Sequence, residues 1–178
     1  MLFSDRSLLT MVHGIVFGGG AMMALVAALF AMGMLLRPPR GPELLTADAE
    51  RALAALSMII AILLWVAVLS GTYVVFPAYR AAPPAGVTDL SAYPRSLLLS
   101  KPETAWLHAF AMEIKEHMPW IAAMLSTAVA FVTVRYPRMV LADRSVRRMT
   151  LTALALCFAL ASIAGLLGTF INKMAPLE

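Results

Sequence analysis

The chain reads as an all-α integral membrane protein, a four-transmembrane-helix bundle, and three observations lead there. Of its 178 residues 61% are hydrophobic and only 13% charged, against roughly 25% charged residues in soluble domains. Its mean hydropathy is +0.83. Four apolar runs each exceed the ~20 residues needed to cross a hydrocarbon core of ~30 Å, and together they use most of the chain. Residues 1–178 are therefore read as a single domain with no room for an independent soluble one.

The first helix is predicted over about 11–36. It is too long for the apolar region of a signal peptide and ends at Arg37, Pro38, Pro39 and Arg40 rather than at a small-residue cleavage site, so it is expected to stay as a permanent span. Gly14 and Gly18 are four apart and share a face suited to close helix approach, while His13 and Gly20 are seven apart and also share one. Gly20 below His13 would leave space for the edge of a flat macrocycle. A connection with Pro38, Pro39 and Pro42 leads to a second helix over about 52–76, which Pro77 is expected to stop. Its polar groups, Ser70 to Tyr73, gather at the far end.

The loop from Pro77 to about Ser100 is the longest, and loops of this length are more often functional than slack. Tyr79 and Arg80 would anchor the helix end among headgroups. Leu97, Leu98 and Leu99 would lie on the membrane or on a partner. Ser100 and Glu103 have the spacing of a capping box, so the third helix is expected over about 101–134. At ~51 Å it is much longer than the bilayer core, and Pro119 is expected to kink it. The fourth helix is predicted over about 149–171.

Arginines decide the orientation. Segments 37–51 and 135–148 hold eight of them, and the remaining six Lys/Arg are spread over the opposite side. By the positive-inside rule both termini and the long 2–3 loop face outward, which for a bacterial plasma (inner) membrane is the periplasmic side. The same arginines account for the net charge of +4 through topology and anionic lipid, and no basic patch with interleaved aromatics indicates nucleic acid. The single cysteine, Cys157, excludes an internal disulfide and c-type haem attachment and is expected to serve packing.

The chemistry-bearing stretch is Trp106 to Trp120, with His108, Glu113, Lys115, Glu116 and His117 at the mouth of a span. A charge at bilayer depth costs about 2.5 to 3.5 kcal/mol even on the mildest scale, so such groups sit at the interface, face protein or serve a function. Counting from the cytoplasmic arginines at 1.5 Å per residue puts His13 at ~36 Å, His108 at ~40 Å and His117 at ~27 Å, close to Tyr73 at ~33 Å and Asn172 at ~36 Å. A polar layer thus forms at the outer end of all four helices. Histidines on different helices of a bundle suit a b-type haem, with His13 and His108 the first pair by height and His13 with His117 the second. Glu113, Glu116 and His117 share one arc and would serve a proton or ion, including protons from a quinol. The thirteen methionines invite a copper reading, but their scatter favours adaptable packing. No phosphate-binding glycine loop, Ser-His-Asp arrangement or zinc spacing is present, so an enzyme acting alone on a soluble substrate is not expected.

In helix count and outer-end histidines the arrangement resembles the small four-helix cytochrome b subunits of membrane redox complexes. That resemblance implies haem b or a quinone, other membrane subunits as partners and a periplasmic redox protein docked on the outer loop. Two other classes compete with it, a non-catalytic accessory subunit and a small metal-handling or transport protein. Few polar groups occupy the cytoplasmic half besides Ser57, Ser126 and Thr127, which weighs against transport by this chain alone.

Overall fold

A computed structural model describes residues 5–35 and 47–175. Among these, four helices are long and apolar enough to cross a membrane. The first, α1, joins an α-helical piece Asp5–Met11, a π-helical stretch Val12–Gly19 and a second α-helical piece Gly20–Leu35. The second, α2, spans Ala47–Arg80 with a π-helical stretch at Gly71–Val75. After a loop comes the short α3, Pro94–Leu99, and then α4, Pro102–Arg135, with its π-helical stretch at Leu107–Met112. A short α5, Pro137–Ala142, precedes the last span α6, Arg144–Met174.

Each span packs on its sequence neighbours, and α6 closes the ring against α1. The contact seam is small and apolar: Ala21, Leu25, Ala28 and Met32 of α1 meet Ile60 and Leu64 of α2, Ala122 and Val129 of α4, and Leu154 and Cys157 of α6. Large apolar side chains such as Met23 and Phe30, 76% and 71% exposed, point outward instead. That inside-out distribution is the one a bilayer stabilises, since lipid is as apolar as leucine and the helices gain by close packing at small residues. The polar groups of the arginine-side half are absorbed within the helices: Ser57 donates to the Leu53 carbonyl and Ser126 to that of Ala123. Trp65 meets Trp120 edge to face at 5.7 Å, and its Nε1 donates to Thr127 Oγ1 at 2.8 Å, tying α2 to α4.

Several sequence expectations are corrected. Pro77 does not stop α2, because it falls in the first turn after the π-helical stretch, where a missing N–H is tolerated, and the helix runs on to Arg80. Ser100 and Glu103 do not form a capping box; Ser100 Oγ donates back to the Leu97 carbonyl and closes α3, and Lys101 precedes α4 without a side-chain cap. α6 starts at Arg144, five residues earlier than expected, because Asp143 caps it by accepting from the Ser145 and Val146 amides at 2.7 and 3.1 Å. Leu98 is wholly buried with Tyr79, Leu107, Met112 and Ile171 in a second apolar cluster, so α3 folds back onto the bundle end, and Leu99 beside it stays exposed. Arg37, Pro38, Pro39, Arg40 and Pro42 lie outside the described residues.

Candidate functional site

The three π-helical stretches lie at one end of three different spans, and that end is the polar layer. π-helical turns are rare and recur at functional sites, since i→i+5 bonding widens the turn and re-aims the side chains that follow. His13 and His108 stand within two of the stretches and Gly71 opens the third. Gly20 faces Leu63 of α2, whose Cδ1 would lie 3.6 Å from an added Cβ.

His13 is seated on α2. Its Cε1 lies where a Cβ on Gly71 would be 2.7 Å away, so only glycine admits the ring at this distance. Nδ1 lies 3.1 Å from Ser70 Oγ, and that oxygen lies 3.2 Å from the Ala67 carbonyl. With the Ser70 proton on that carbonyl, the hydroxyl oxygen accepts from Nδ1–H and Nε2 keeps the lone pair; with it on Nδ1, the ring proton sits on Nε2. Among the described residues, Gly14 and Gly18, expected to receive another helix, meet no side chain from one.

Lys115 repeats the pattern on the opposite side of the bundle. Its stem lies against Gly168 of α6, where an added Cβ would come within 2.7 Å of Cε. The ammonium lies within electrostatic range of His13. Neither Gly71 nor Gly168 carries a chemical signature in the sequence; a polar residue and a glycine at the same bundle height on neighbouring helices are the signal that would pair them.

His108 is held on both sides. Arg95 Nε donates to its Nε2 at 3.2 Å, so the ring proton is on Nδ1, which shares a 2.9 Å bond with Tyr79 Oη. Tyr79, expected at the headgroups, is only 3% exposed and stacks on Phe76. Arg95 and Tyr79 carry no site signal in the sequence, because one falls in the expected loop and the other beyond the expected helix end.

His117 is exposed on the outer face of α4, and its Nδ1–H donates to the Glu113 carbonyl at 2.7 Å. Its Nε2 is thereby the free nitrogen. Glu116 lies in the field of Glu113, Arg80, His117 and Lys115. Among the described residues no three His, Cys, Asp or Glu side chains converge as a metal site, so Glu113, Glu116 and His117 do not form one by themselves. What the layer offers is two imidazoles bonded through Nδ1 on different helices, one locked imidazole, a buried-stem ammonium and two carboxylates. No protein-family model, curated protein or solved structure matches this chain.

Proposed function

We propose that the chain is a membrane-integral subunit of a respiratory or photosynthetic-type electron-transfer complex, binding haem b or a quinol in the polar layer. One observation supports this above the others. His117 donates Nδ1–H to the Glu113 carbonyl and His13 Nδ1 is bonded to Ser70 Oγ; with the proton of that second bond on Nδ1, both rings keep Nε2 as a lone pair, the state in which an imidazole ligates iron, with the second-shell bond fixing ring orientation. The favoured haem pair is accordingly His13 with His117, since His108 has both nitrogens engaged. The same groups suit a quinol: Nε2 of His13 accepts from a hydroxyl, Lys115 donates to an oxygen, and Glu113 and Glu116 take protons toward water.

The arginine distribution supports an outward-facing layer by the positive-inside rule, and in a bacterial plasma membrane the 81–93 loop would then face a periplasmic redox protein. The accessory-subunit reading is favoured by one feature, the Tyr79–His108–Arg95 bonding, which serves structure with no ligand. Reduced-minus-oxidised visible spectra of the purified chain and of its native complex separate the two. A b-type α-band lost in His13→Ala and His117→Ala but kept in His108→Gln supports haem ligation by the favoured pair. No haem in either preparation removes the haem reading, and a quinol analogue that fails to protect the chain against thermal unfolding removes the quinol one. With both gone, the accessory role stands.

A further inference from the structure

The opposite, arginine-rich end of the bundle carries a groove that the polar layer does not use. It is a shallow depression of about 400 Å3, open to the surroundings, between Leu125 of α4 and the face of α6 that presents Ser145, Arg148, Met149, Thr152, Ala153 and Leu156. Ser145, Arg148, Thr152 and Leu156 recur at steps of three and four, with Ala153 beside Thr152, which makes them one face of the helix. From Ser145 to Leu156 this face descends ~16 Å, and Leu125 stands at a similar depth, ~15 Å below Arg135. Its chemistry changes along that descent. Hydroxyls and a guanidinium line the upper part, at the start of the span, and Ala153, Leu156 and Leu125 line the lower part, within the hydrocarbon.

The charge around the upper part is unbalanced. Arg135, Arg138, Arg144, Arg147 and Arg148 face a single acid within the 135–148 segment, Asp143, and its carboxylate is committed to the Ser145 and Val146 amides. Arg138 pairs with Glu50, and Arg147 donates to the Leu141 carbonyl. Arg148 is exposed, and among the described residues no carboxylate pairs with it. A site with an unpaired cation at the headgroup level and an apolar trough beneath it matches an anionic amphiphile. A free anion would leave the trough unfilled, and an apolar partner helix would leave the guanidinium unpaired.

We propose that this groove binds an anionic phospholipid, its phosphate at Arg148 and one acyl chain along Ala153, Leu156 and Leu125. The proposal is independent of the electron-transfer reading. The test is to reconstitute the full chain in phosphatidylcholine vesicles doped with phosphatidylglycerol, extract it in mild detergent and quantify retained phosphatidylglycerol by native mass spectrometry. Arg148→Gln is expected to lower retention about fivefold, the effect of one arginine near an anionic surface. Arg144→Gln, which removes an equal charge outside the groove, is expected to leave retention unchanged, and Ala153→Trp to abolish it by filling the trough. Wild-type retention in Arg148→Gln overturns the proposal. So does an equal loss in Arg144→Gln, which would reduce the effect to general attraction by a basic end. Circular dichroism checks helicity, and should Ala153→Trp not fold, the contrast between the two arginine variants decides.

Discussion

The imidazole of His13 rests on the bare Cα of Gly71, so close that a methyl there would stand 2.7 Å from Cε1 and 3.3 Å from Nε2. The obstacle is a stiff ring whose Nδ1 is bonded to Ser70, the residue next to the glycine. Gly71→Ala is expected to destabilise the bundle by about 1 to 3 kcal/mol through overpacking and to break the Ser70 bond. Thermal unfolding in detergent measures the loss. The His13→Ala/Gly71→Ala double variant should recover much of it, because the clash needs both partners; additive losses would show that the ring is not the obstacle.

Gly168 makes a similar approach to Lys115, but there the nearest atom is Cε of a flexible chain. Gly168→Ala is expected to displace the ammonium and to cost well below Gly71→Ala, under about 1 kcal/mol. A cost equal to that of Gly71→Ala in the same unfolding assay would mean that the lysine is rigidly held.

Tyr79→Phe keeps the stack on Phe76 and removes the oxygen bonded to His108 Nδ1. A loss of about 0.5 to 1.5 kcal/mol is expected, typical of one intramolecular hydrogen bond. In a double-mutant cycle with His108→Gln the two losses should couple, whereas strict additivity would separate the residues.

The 81–93 loop has a pH-sensitive turn. The backbone amide of Ser91, first, and its side chain, second, hold the Asp89 carboxyl below its ordinary value of 3.8. A carboxylate with a depressed folded-state value supports the turn fully above its unfolded value, and that support fades as pH falls through the depressed one. Amide exchange at Ser91, with the strongly pH-dependent intrinsic rate divided out, should therefore show protection that is constant above pH 3.8 and declines at lower pH. Asp89→Asn should remove the pH dependence of that protection. An unchanged protection profile in the variant would show that the carboxylate is not the titrating group.

Hydrophobic length determined the four spans, because a stretch of some 20 apolar residues has one stable place in a bilayer whatever its neighbours. The same count put His13 and His108 at one level, but His13 meets Ser70 whereas His108 meets Tyr79, nine residues or ~13 Å further along α2. Helix limits were less legible: Asp143 caps α6 through bonds to its own following amides, whereas Ser100 and Glu103 had cap spacing and Ser100 turned to Leu97 instead. Short polar side chains choose among nearby backbone partners, and spacing alone does not rank them.

Which polar groups meet was decided only by tertiary structure. Sequence periodicity assumes 3.6 residues per turn, and the π-helical stretches at Val12–Gly19, Gly71–Val75 and Leu107–Met112 rotate the faces that this assumption would align. The seating of His13 on Gly71 and of Lys115 on Gly168, and the enclosure of His108 by Tyr79 and Arg95, join residues 13 to 58 positions apart. Contacts across helices depend on how the spans rotate against one another, and that rotation is set by packing of the whole bundle rather than by any one segment.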